Sequence, residues 1–343
     1  MIDFRYHLVS IVAVFLALGL GIILGATALQ PTALSALKRT SQQEHQQIGS
    51  ALATNRQQAL QIERNDQFAE SATTLLIGQL LAGERVVLVQ APGASSQVVS
   101  GVVQALTVAG AAISGQVQLQ DKFFDVSPAT QEQLGQLAQQ FAPVGVTLQG
   151  TPQAQASQVI AGAILTKDGP GQPVAGQRDS ASAALLNGFA AGSFLTVTGH
   201  PDARATLAVV VIPENPPSPN GPDTASHGLV TFAQQLDQAG QGTVVAGSVP
   251  GSGQGSAIDV MRSGEAGHMS SVDDADHMIG QIVVVQALYE QLRGGSGAYG
   301  STSSATKAGP SPAPTPPVTP TAAAAGTQTT GRRTPHGTRA GKS

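Results

Sequence analysis

The apolar pattern of this chain is set by its first thirty residues. From Leu8 to Leu29 the sequence LVSIVAVFLALGLGIILGATAL carries no charge, and its polar side chains, Ser10 and Thr27, lie near its two ends. As a helix this run is roughly 33 Å long, enough for a hydrocarbon core of about 30 Å. A core helix of a soluble domain would carry a polar stripe at 3.6-residue spacing, and this run has none. The pattern predicts a membrane span over residues 8–30 behind a short cytoplasmic segment over residues 1–7. A cleaved signal peptide is the other reading, since Ala26-Thr27-Ala28 has the form of a cleavage site. The run is longer than the roughly 7–15 residues of a signal core, and Arg5 is offset by Asp3. Within the span, Ala13, Ala17, Gly21 and Gly25 fall four apart on one face, where small side chains let two helices approach closely in lipid. That stripe is a candidate membrane dimer face.

Pro31 follows, and the next proline is Pro92. Residues 31–83 are rich in Gln, Ala, Leu and Glu, with Gly49 and Gly78 as weak points, and predict a helix of about 50 residues, roughly 75 Å long. A seven-residue register places Leu34, Ser41, Ile48, Asn55, Ile62, Ala69 and Leu76 on one seam; its companion positions, among them Leu37, Glu44, Gln58 and Gln79, are less apolar. The seam predicts a coiled coil in a parallel homodimer, with Asn55 able to fix the register. A single amphipathic helix laid on its own domain is the competing reading.

From Glu84 the period changes to strands alternating with helices. Arg85–Gln90 is a β-branched run; a turn at Ala91-Pro92-Gly93 leads to a helix beginning at Ser95 or Ser96 and ending at Ala109, and Ile113–Leu119 reads as a second strand, a βαβ unit. Ser127-Pro128 starts a helix running to Phe141. Residues 154–165 and 181–197 read as apolar core stretches. Leu207–Ile212 is a fully apolar strand, followed by a proline-rich loop over 213–222. A helix over 226–239, a strand over 243–248 and a helix over 278–293 close the domain. Helices alternating with buried strands predict a parallel-sheet α/β sandwich over residues 84–293. The remaining residues, 294–343, are Pro-, Ala-, Gly- and Thr-rich and predict a disordered tail.

Composition sharpens this. Apolar residues make up 41 % of the 343 residues but aromatics only 3 %, so the core must be built from Val, Ile, Leu and Ala. There is no Cys, which removes disulfides, thiolate metal sites and thiol nucleophiles together. The last 50 residues hold five of the 17 Lys and Arg and none of the 21 Asp and Glu, so the body is acidic and argues against a nucleic-acid face. Arg5 on one side of the span and Lys38-Arg39 on the other do not decide orientation by charge. Gly251–Ser256 (GSGQGS) lacks both GxGxxG and a Walker lysine, no GxSxG frames a serine, and no enzymatic activity is expected.

One constellation carries metal chemistry. In GHMSSVDDADHM (267–278), His268-Met269 and His277-Met278 bracket three carboxylates, and imidazole and thioether are apt ligands for copper. The structural alternative is that Asp273–Asp276 complement the start of the closing helix.

The N-terminal MIDFRYHL, the following VSIVAVFLALGLGIILGA, the long helix, and SVDDAD with Tyr299-Gly300 together resemble the actinobacterial copper transporter family, MctB-like, which includes the cell-separation protein SteB. The resemblance spans residues 1–300. It implies an uncleaved single-pass anchor in the cell membrane, an extracytoplasmic coiled coil and α/β domain, and a role in copper homeostasis or efflux. For the SteB branch it implies recruitment of cell-division or other envelope partners. It supplies no ligand motif to carry across.

Overall fold

A computed structural model of the chain describes residues 4–143, 145–213, 222–265 and 267–316. The chain divides into two compact units, Met1–Phe68 and Ala69–Ser343.

The first element, α1 (Phe4–Ile77), is one helix of 74 residues. It runs through Pro31 without interruption. A proline inside a helix forfeits its own N–H bond, and the helix-forming turns on both sides carry the backbone across it. Its end comes earlier than the sequence pattern suggests, because Gln79 adopts φ 59° and Gly78 N–H closes the last turn on Thr74 O at 2.9 Å.

In the second unit, the end of α1 buries Ala69, Thr73 and Ile77, four residues apart on one face. The strands and helices that follow are β1 (Arg85–Gln90), α2 (Ser96–Val108), β2 (Ala112–Leu119), α3 (Pro128–Gln140), α4 (Pro152–Ile164), α5 (Ser180–Ala191), β3 (Leu195–Gly199), β4 (Leu207–Val211), α6 (Pro222–Ala239), β5 (Gly242–Ala246), α7 (Ala257–Val260), β6 (Ser270–Val272), α8 (Met278–Gln291) and β7 (Ala298–Tyr299). They build a seven-stranded sheet in the order β3-β2-β1-β4-β5-β6-β7. All neighbours are parallel except β2 and β3, so the expected parallel α/β sandwich is present with an antiparallel edge strand added.

Alternation along the central strands sends side chains to two separate cores. Val87, Val89, Ala208, Val210 and Val245 face a cluster with Leu134, Ile160, Leu186 and Phe232, contributed by α3, α4, α5 and α6. Val86, Leu88, Val209, Val211 and Val244 face a second cluster with Val102, Leu106, Val284 and Leu288, contributed by α2 and α8; Ala69 and Ile77 of α1 complete it. The sparse aromatics are concentrated on the first side, where Phe123 meets Phe232 edge-on at 5.6 Å and Phe189 meets Phe194 at 6.3 Å.

Two boundaries differ from the sequence reading. The apolar stretch 181–197 is a helix and a strand, not one element. Asp179 caps α5 by accepting from the N–H groups of Ala181 and Ser182, and Ser193 at φ 61° turns the chain into β3. The tail expected from residue 294 is ordered well past that point. Ala298–Tyr299 pair with Ser271 and Val272, Thr306 and Lys307 donate to Ala298 O at 2.9 and 3.3 Å, and Gly300 N–H donates to Lys307 O at 3.1 Å. The rest of the expected tail, 317–343, and loop residues 214–221 lie outside the described residues.

Candidate functional site

The membrane candidate is Tyr6–Gly25 of α1, 20 residues with a mean hydropathy of 2.8 and no burial inside the protein. Leu16, Ile22 and Ile23 are about 60 % exposed or more. An apolar helix surface of that length suits lipid. Ala13, Ala17 and Gly21 are exposed, Gly25 is partly covered, and a Cβ added at Gly21 or Gly25 would meet nothing within 4 Å, so one face is left open to close approach.

Beyond the span, Ile48, Asn55 and Ile62 are exposed on α1, like the residues around them. Leu52 and Ala59 are also exposed and complete a stripe spaced alternately four and three residues apart, Ile48-Leu52-Asn55-Ala59-Ile62. Ala69 lies in the α/β domain's own core and Leu76 is 38 % exposed. The side chain of Leu34 is outside the described ones.

The four residues suggested as metal ligands are not brought together. His268 precedes β6 and His277 follows it, at opposite ends of the strand. Met269 is buried in the cluster on one face of the sheet, whereas Met278 packs against the cluster on the other. Among the described residues no three or more His, Asp or Glu are grouped to hold a metal ion.

The carboxylates between them do other work. Asp273, fully buried, accepts from Arg262 Nη1 at 2.7 Å and from Ser301 N–H at 2.7 Å, and its carboxylate also takes the Thr302 hydroxyl. Arg262 meanwhile donates through Nη2 to Tyr299 O at 2.7 Å, through Nε to Ser271 Oγ at 3.0 Å and through Nη1 to Ser304 Oγ at 2.9 Å. This knot fastens residues 299–304 to β6. Burial alone would raise the pKa of Asp273, but Thr302, Arg262 and Ser301 outweigh it and hold the carboxyl below the usual range. Gly300, at φ 131°, is required because a Cβ there would run into Asp273 Oδ1. Beside it, burial and the charges of Asp273 and Asp276 push Asp274 up to about 6. Asp276 Oδ2 lies 3.7 Å from His277 Nε2. Nothing in the charge pattern around Arg262 announced this role; its only sequence trace was the pairing of SVDDAD with Tyr299-Gly300.

The order of the sheet reverses between β1 and β4, the usual place for a ligand in an open α/β sheet. Here the crevice at their carboxyl ends is lined by Ala91, Pro92, Phe124, Ile212, Pro213 and Leu229. The loop 214–221 that follows Pro213 lies outside the described residues. A solvent-open groove of about 370 Å³ lies at the opposite, amino ends of β5 and β6, where Lys167, Asp237 and His268 meet.

A profile of the family described as "Copper transport outer membrane protein, MctB" matches residues 1–310, spanning the membrane helix and the α/β domain through its C-terminal knot. Proteins named Copper transporter MctB from Mycobacterium bovis and Mycobacterium tuberculosis are 30 % identical to this chain over 317 residues, covering 88 % of it and 96 % of their own length. The protein of the same name from Mycobacterium leprae is 29 % identical over 319 residues, covering 89 % and 98 %. By extent and by identity, this chain belongs to the MctB family.

Proposed function

We propose that this chain is a single-pass membrane protein whose α/β domain stands outside the cytoplasm and serves copper homeostasis, without catalysing a reaction of its own. The observation that carries this reading is the family match, which runs unbroken from the apolar helix through the α/β domain. Its relatives bear the name copper transporter. A lone span cannot enclose a polar path, since every face of it needs apolar cover in lipid. Copper would then be handled by the domain or by partners that complete a path, with the ion as cargo.

A second reading is favoured by the exposed stripe Ile48-Leu52-Asn55-Ala59-Ile62, which lies outside the membrane and suits a helical partner. On this reading the helix is a homodimeric scaffold that recruits envelope or cell-division proteins. Deleting the gene and measuring cell copper under copper load separates the two. Altered copper content, restored by the full chain, supports the first reading. Unchanged copper with a defect in cell separation supports the second.

A further inference from the structure

The two edges of the sheet are finished differently. At one, the outer side of β7 is taken up by a returning segment: Thr306 N–H donates to Ala298 O at 2.9 Å and Gly300 N–H to Lys307 O at 3.1 Å. At the other, β3 pairs antiparallel with β2 and ends the sheet. Gln120 N–H donates to Phe194 O and His200 N–H to Ser114 O, both at 2.9 Å, so the even-numbered residues of β3 are the ones that bond β2. The N–H and C=O groups of Leu195, Val197 and Gly199 therefore point outward, and among the described residues no hydrogen bond reaches them. Leu-Thr-Val-Thr-Gly also carries no charge and no proline, the common deterrents to edge pairing. Thr196 and Thr198 are exposed beside Gln116 and Gln118 of β2, and Gln116 Oε1 accepts from Gln90 Nε2 of β1 at 2.8 Å, so this end of the sheet is polar without charge.

We propose that β3 is a docking edge for a second copy of this chain, pairing antiparallel with its own counterpart about Val197. With Val197 opposite the second copy's Val197, Leu195 faces Gly199 and Thr196 faces Thr198. Outward N–H then meets outward C=O at all three odd-numbered positions, and every other register leaves at least one of them without a partner. A like strand suits this edge because no charge lies on it to repel its copy, and Thr opposite Thr is a favourable cross-strand pair. Pairing of this kind consumes the edge of both copies, and with β7 already covered, assembly closes at two. The chain's own tail is a poor substitute, since Pro310, Pro312, Pro314, Pro316 and Pro317 have no N–H to give. The inference does not depend on the copper reading.

The test uses the full chain in membranes, co-expressed in two differently tagged forms, Thr196→Cys and Thr198→Cys; the parent has no Cys. In the proposed register these two positions lie opposite each other at a Cα separation of about 4.5 Å, within reach of a disulfide, whereas either form alone sets its cysteines about 7–8 Å apart. Oxidation with diamide should give the mixed-tag product at least about ten times faster than either form gives its own. Equal rates overturn the pairing, because chains held together elsewhere, as along α1, would collide without that preference. Background cross-linking in all three cases overturns it too. Amide hydrogen exchange adds a second reading on otherwise unaltered chains. The Leu195 and Val197 amides should exchange at least about tenfold faster in Thr196→Lys with Thr198→Lys, which sets lysine against lysine, and should stay protected in Thr196→Asp with Thr198→Lys, which sets opposite charges face to face. Far-UV circular dichroism identifies a variant that has not folded, and the cysteine pair then carries the comparison. Protection that the lysine pair leaves unchanged would give the edge to a different strand and overturn the proposal.

Discussion

Replacing Arg262 with alanine should unfasten the C-terminal strap. Arg262 is 5 % exposed through its side chain and Asp273 not at all, so solvent does little to screen the pair. Truncating the arginine leaves Asp273 charged and buried, with Ser301 N–H and the Thr302 hydroxyl as its remaining partners. Breaking a buried pair from one side costs about 3–5 kcal/mol, a large part of the roughly 5–15 kcal/mol that holds a domain together. The strap from Ala298 to Lys307 is the cheapest element to release, because its pairing with the sheet is only two residues long. If the loss is felt there, the open population should rise by about a hundredfold to a few thousandfold. Trypsin cleavage after Lys307 reads that population, since cleavage is slow against reclosing. Arg262→Ala should therefore be cut at Lys307 at least about a hundred times faster than the parent while the rest of the domain stays resistant, and Arg262→Met with Asp273→Asn together should recover much of the protection. A rate within about threefold of the parent would refute the role given to this pair. Acid gives the same answer independently. The depressed pKa of Asp273 means its contribution is full above the ordinary aspartate value near 4 and is lost as pH falls below it.

Asp274 should behave in the opposite sense. With a folded pKa near 6, its stabilising effect is present below about 4 and lost as pH rises through 6, so Asp274→Asn should flatten the stability profile over that window, and a carboxyl resonance titrating near 4 would contradict the assignment. Gly300→Ala should cost about 2 kcal/mol or more in urea unfolding, because it combines a positive φ with a collision at Asp273; a neutral effect would mean that the strap shifts easily. A cysteine at Asn55 should cross-link to its counterpart in a parallel dimer, and cross-linking at background level in a folded protein removes the seam. A reporter active only outside the cytoplasm, fused after Pro316, should be active; inactivity in a well-expressed fusion would reverse the topology.

Long, strongly periodic elements were legible in the sequence. β1, β4 and β5 read as strands because both of their faces are buried and every residue is apolar or nearly so. β6 and β7 were not legible, since Ser270-Ser271-Val272 and Ala298-Tyr299 are held by neighbours rather than by their own propensity. The tail boundary was misplaced because Gly, Ser and Thr at 294–304 look unstructured until Arg262 and Asp273 arrive from elsewhere in the chain to bind them. The metal constellation failed for a geometric reason. Nearness in sequence joined His268 to His277, whereas a strand between them sent the two to opposite ends of the sheet and their adjacent methionines to opposite faces. His268 instead lines a groove with Asp237 and Lys167, and no spacing rule points to that.

Holding the α/β domain at the outer side of a membrane by one helix is what the account requires for a role in copper balance. The direct measurement is copper tolerance of a strain lacking the gene, complemented by the full chain, by a chain whose residues 6–25 are replaced with an unrelated single span, and by a secreted chain without a span. The full chain and the span-swapped chain should restore tolerance, and the secreted chain should not. Equal tolerance with and without a span, or no change in tolerance when the gene is lost, would contradict it.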